Sequence, residues 1–140
     1  MIPFARMHGS GNDFVVVDDR AGRLRRHRQA LAQALCDRRR GLGGDGLVLL
    51  SNGSQGHVVM NYINADGMDG EMCGNGAGCA VRRAWELDFF KGSETVLETE
   101  GGNHLFGEPA LELADMMRLD ASGKGVVNVL SAEKLMNSPR

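Results

Sequence analysis

A chain of 140 residues is long enough for one domain with a buried core. Its 42% hydrophobic and 24% charged residues are ordinary for a globular protein, and a net charge of −2 argues against a general electrostatic role on nucleic acid or an anionic membrane surface. No apolar run approaches the roughly 20 residues that span a bilayer, the N-terminal "MIPFARMHGSGNDF" has no secretory leader pattern, and three cysteines without a C-x-x-C fit free thiols in a reducing cytoplasm.

In chain order, "FVVVD" (14–18) is valine-rich and reads as a strand, followed by a turn at 18–22. Residues 24–40 read as a helix, with Leu24, Leu31, Ala34, Leu35 and Arg38 near one face and Gly41 as its stop. "LVLL" (47–50) and "HVVMNYIN" (57–64) read as strands around the loop 51–56. The segment 65–72 is too rich in Gly and Asp for regular structure, and 75–88 reads as a second helix. That helix is apolar or small on most faces, so it is expected to be enclosed. "TVLETE" (95–100) and "NHLF" (103–106) flank Gly101-Gly102 as a hairpin. Beyond Glu108 the signal weakens, to a helix near 110–119, a strand at 125–130 and a helical turn at 131–137. Strands alternating with two helices give an α/β or α+β class.

"GLGGDG" (41–46) has the G-x-G-x-x-G spacing but follows a helix and opens a strand, the reverse of a dinucleotide fingerprint. It reads as a helix cap and tight turn, with ligand-lining amides as the alternative. His8, His27, His57 and His104 have no metal-pair spacing, and Cys73 and Cys79 point to different faces of a helix, so a zinc site is not expected. Cys36 and Cys79 read as core fillers.

Cys73 differs, because it sits in "EMCGNGAGCA" between a polar loop and a helix start. A thiolate there gains from the helix dipole and unpaired N–H groups, which lowers its pKa. The amides of Gly74, Asn75 and Gly76 can face an anion. Two readings stand on the residues alone: a reactive thiol beside an anion site, or a loop cysteine before a glycine-capped helix.

"MHGSGNDFVVVD" (7–18), "GLGGDGLVLL" (41–50), "NADGMDGEMCGNGAGCAVR" (64–82) and "LETEGG" (97–102) together resemble the diaminopimelate epimerase family over about residues 3–102. The resemblance implies an α+β fold with a mixed, mostly antiparallel sheet wrapped around a central helix, one of the family's two similar domains. It implies a cofactor-independent isomerase that interconverts LL- and meso-diaminopimelate in lysine biosynthesis, using two cysteines on opposite faces of the α-carbon. By motif position Cys73 is one acid/base thiol. Gly74 and Asn75 offer amides to the substrate carboxylate, and Asn12 and Asn64 bind through their side chains. Taken alone, Asn12 also fits a turn residue and Asn64 an Asx-turn donor.

This reading divides the chain into an epimerase-like N-terminal domain at 1–107 and a divergent tail at 108–140. The second thiol and the clamp for the distal carboxylate belong to a half that the sequence does not match, so a homodimer or a separate second-half chain is the expected partner. The competing readings are a truncated, non-catalytic remnant and an α/β ligand-binding domain with a structural cysteine. Gly78 stands where the family usually has arginine, and Gly46 where some members have a contacting side chain.

Overall fold

The computed structural model describes residues 2–9, 12–70, 74–106 and 124–127. Its strands are β1 (Ile2–Gly9), β2 (Asn12–Asp18), β3 (Gly46–Asn52), β4 (Val58–Asn64), β5 (Thr95–Thr99), β6 (Gly102–Phe106) and β7 (Lys124–Val127), and its helices are α1 (Arg28–Leu35) and α2 (Gly74–Glu86). The strands form one sheet in the order β6-β5-β4-β3-β2-β1-β7. Pairing is antiparallel except for β2–β3 and β4–β5. Those are the two pairs joined through a helix, as a parallel crossover requires. The expected α+β class, with a mixed and mostly antiparallel sheet, is borne out.

α1 and α2 cover opposite faces of the sheet, which explains the unbroken apolar runs in β2 and β3. Phe14, Val16, Val48 and Leu50 pack with Ala77, Ala80, Val81 and Ala84 of α2. Their neighbours Val15, Val17, Leu47 and Leu49 pack with Leu31, Ala32 and Leu35 of α1. Strands covered on both sides lose the polar alternation of a half-exposed sheet. Small residues on α2 let it come close, and a Cβ on Gly76 would lie 3.4 Å from Met60 and from the Phe14 ring. α2 is enclosed on most faces as expected, but Trp85 is 40% exposed and carries the Arg82 guanidinium 4.7 Å over its ring.

The sequence reading missed one strand and overextended one helix. β1 was not anticipated, because Pro3 and Arg6 interrupt its alternation; Ala5 and Met7 nevertheless join the α2 layer and Phe4 the α1 layer. The helix expected over 24–40 is only eight residues long, preceded by a 3-10 turn at Arg25–His27. Asp37 ends it by accepting the backbone N–H groups of Arg39 and Arg40, a local bond that competes with helix propagation. Arg38 therefore leaves the helical face. The strand read at 125–130 is β7, over Lys124–Val127. The helices read near 110–119 and 131–137 lie outside the described residues. Among the described residues no helix is long and apolar enough to cross a membrane.

Candidate functional site

The candidate site is built at the sheet end where β2 and β3 begin and β4 ends. The register places Phe14 beside Gly46 and Gly46 beside Asn64. Asn12 lies two residues before Phe14 and so shares its face, the one covered by α2. Gly76 rests on the Phe14 ring, which brings the N-terminus of α2 to the same place. Four of the five residues singled out in the sequence, Asn12, Asn64, Gly74 and Asn75, thus converge from three elements. The fifth, Cys73, lies outside the described residues.

Asn75 Nδ2 donates to Asn12 Oδ1 at 2.9 Å, and Asn12 Nδ2 donates to Asp45 Oδ2 at 3.3 Å. The Asn64 carboxamide packs on Gly70, where a Cβ would stand 3.1 Å from its Nδ2. Its backbone closes the turn that follows, accepting from the Gly67 amide and donating to the Met68 carbonyl, both at 2.9 Å. Gly74 is exposed, and among the described residues a Cβ there would meet nothing within 4 Å. The first turn of α2 holds no acidic residue. Its leading N–H groups and the helix dipole therefore favour an anion at this end.

Sequence reasoning missed the charged group beneath these residues. Arg38 grips Asp13 with both Nη atoms, at 2.9 and 2.8 Å, and reaches Asp45 Oδ1 at 3.1 Å. Arg6 stands 3.8 Å from the same Asp13. The Arg38 hydrogen bonds hold the Asp13 carboxyl down at about 2. No local spacing announces this cluster, because residues 13, 38 and 45 meet only once β2 and β3 pair in parallel.

The glycine segment at 41–46 is not a ligand cradle. The amides of Leu42 and Gly43 both bond the Leu35 carbonyl, at 2.9 and 3.0 Å, Gly44 bonds Cys36 at 3.2 Å, and Gly41 bonds Asp37 at 2.9 Å. They satisfy the carbonyls at the end of α1. At Gly46 the Tyr62 ring occupies the side-chain space, with Cε1 2.6 Å from where a Cβ would be.

Cys36 is buried and its thiol is pushed up to about 12, first by burial and then by the Asp13 charge. Cys79 is fully buried in the α2 layer. Among the described residues no group of three His, Cys, Asp or Glu could hold a metal ion.

The family model for diaminopimelate epimerase matches residues 4–107. A diaminopimelate epimerase of Flavobacterium psychrophilum is 41% identical over 99 residues, 71% of this chain and 39% of its own length. That of Carboxydothermus hydrogenoformans is 39% identical over 119 residues, 84% of this chain and 42% of its own. The chain thus spans about two fifths of these curated relatives. Among solved structures, a Bacillus anthracis phenazine biosynthesis protein of the PhzF family aligns with a TM-score of 0.60 at 17% identity, over 76% of this chain and 35% of that one. A methylitaconate-delta-isomerase aligns with 0.60 at 13%, over 74% and 33%. At such identities these two structures speak for the fold alone.

Proposed function

This chain belongs to the diaminopimelate epimerase family, and we propose that it supplies one face of a cofactor-independent epimerase site for diaminopimelate in the cytoplasm. In this reading the Cys73 thiolate takes the α-proton and becomes a thiol, while a second thiol on the opposite face returns a proton to the carbon. The charge that develops toward the α-carboxylate is met by the amides of Gly74 and Asn75 at the start of α2. Asn12 and Asn64 bind the substrate through their carboxamides. The opposite face comes from further sequence of the same protein, from a partner chain or from a second copy.

The observation that carries this reading is the Asn12–Asn75 hydrogen bond at the N-terminus of α2, whose first turn holds no acidic residue. It joins two motifs 63 residues apart in sequence at one anion-favouring point.

The test is deuterium exchange at the α-carbon of diaminopimelate, with the chain alone and with the complementary part of a full-length relative. The expected result is no exchange alone, exchange with the complement, and at least a 1,000-fold loss in Cys73→Ala, since two thiols must act in turn. Exchange that survives Cys73→Ala would overturn the proposal.

A further inference from the structure

We infer that Asp45 is a positioning residue: it fixes which way round the Asn12 carboxamide stands and, through Asn12, orients Asn75 at the start of α2. The inference rests on the reading above, in which Asn12 and Asn75 meet the substrate.

A carboxamide has a donor end and an acceptor end of nearly equal shape. Turning it over therefore costs little sterically but inverts what a ligand meets. Asn12 is exposed at the strand start, so packing does not choose between the two orientations. A carboxylate does choose, because it only accepts. Asp45 Oδ2, 3.3 Å from Asn12 Nδ2, holds the NH₂ end toward itself. Asn12 Oδ1 is left to face α2, where it accepts from Asn75 Nδ2 at 2.9 Å. Asn75 thereby has its own NH₂ end turned inward. One fixed acceptor orders two carboxamides in series.

Asp45 is itself held from several directions. Its Oδ2 accepts the backbone N–H of Asp13 at 3.1 Å, and its Oδ1 accepts from Arg38 at 3.1 Å. Its own N–H donates to Asp13, at 2.8 Å to the carbonyl and 3.1 Å to Oδ1. Arg38 is in turn fixed by its two-pronged grip on Asp13. The residue before Gly46 is thus tied to the residue after Asn12 by the parallel pairing of β2 and β3.

The test is an NMR titration of the intact chain with meso-diaminopimelate, following the side-chain NH₂ signals of Asn12 and Asn75. Asp45→Asn keeps the shape but presents a group that can itself turn over. It is expected to move both NH₂ signals and to weaken binding about tenfold, with backbone signals away from the site unchanged. Arg39→Ala, on the exposed turn at 38–40 and outside the Asp45 contacts, is the reference and is expected to bind like the starting chain. Should Asp45→Asn not fold, Arg38→Lys keeps the charge, loses the two-pronged grip, and is expected to weaken binding about threefold. Unchanged affinity and unchanged NH₂ signals in the folded variant, with the starting chain still saturable, would overturn this inference alone. A starting chain that does not bind diaminopimelate overturns the site reading and this inference with it.

Discussion

The two glycine-rich segments, 41–46 and 74–78, look alike in sequence and do opposite work. In the first, four consecutive amides turn back onto carbonyls near the end of α1, and the glycines are there because chain meets chain. A Cβ on Gly41 would collide with the Ala34 carbonyl oxygen and sit 2.8 Å from that of Leu35, and Gly43 has φ +81°. In the second, among the described residues, a Cβ on Gly74 or Gly78 would meet nothing within 4 Å. Glycine at 41 is demanded by the fold. At 74 no contact among the described residues demands it.

The largest expected effect tests that contrast directly. Gly41→Ala forces backbone apart at the end of α1 and is expected to cost roughly 3 kcal/mol in denaturant unfolding. Gly74→Ala is expected to change stability by less than about 0.5 kcal/mol. Equal costs at the two positions would break the comparison.

An intermediate effect concerns what anchors the first segment. Asp13, which accepts from Arg38 beside Asp45, has its folded value lowered from 3.8 to about 2. A lowered folded value means that the unfolded chain takes the proton first. The stabilisation is therefore complete above the ordinary carboxylate range and is lost as pH falls through about 2. With Asp13 only 15% exposed but its partner Arg38 56% exposed, solvent screening leaves about 1 kcal/mol. Stability measured from pH 5 to pH 2 should fall by that amount in the native chain, and this part of the slope should be missing in Asp13→Asn. An identical acid profile in the variant would show that the 41–46 turn does not depend on this ion pair.

The smallest effect has the opposite sign. Gly78 is a helical residue whose added Cβ would meet no described residue within 4 Å, so Gly78→Ala should stabilise the chain by about 0.5–1 kcal/mol through helix propensity and reduced unfolded-state freedom. A loss of stability would mean that the second segment is as sterically constrained as the first.

Much of the fold was legible because burial leaves periodic traces. The strands at 14–18, 47–50, 57–64, 95–100 and 103–106 are all present within a residue or two, and α2 falls close to its expected span. What failed were places where one side chain overrode its neighbourhood. Asp37 stopped α1 early, and Pro3 and Arg6 masked β1. The site was legible only in parts. Asn12, Asn64, Gly74 and Asn75 could be picked from motifs, and the structure brings them to one end of the sheet. The Asp13–Arg38–Asp45 cluster left no mark, since it exists only through pairing between strands distant in sequence.

β3 lies fourth in a seven-stranded order, between a parallel and an antiparallel neighbour, with α1 and α2 over its two faces. Its amides can exchange with solvent only when both helical layers lift together, which amounts to unfolding the whole chain. On the β6 edge only the partly buried Phe106 packs against the α2 layer, so this strand can open while the rest of the sheet stays covered. In deuterated water the Val48 and Leu49 amides should therefore report the global stability of the chain, while Leu105, 70% exposed on β6, reports only local fraying.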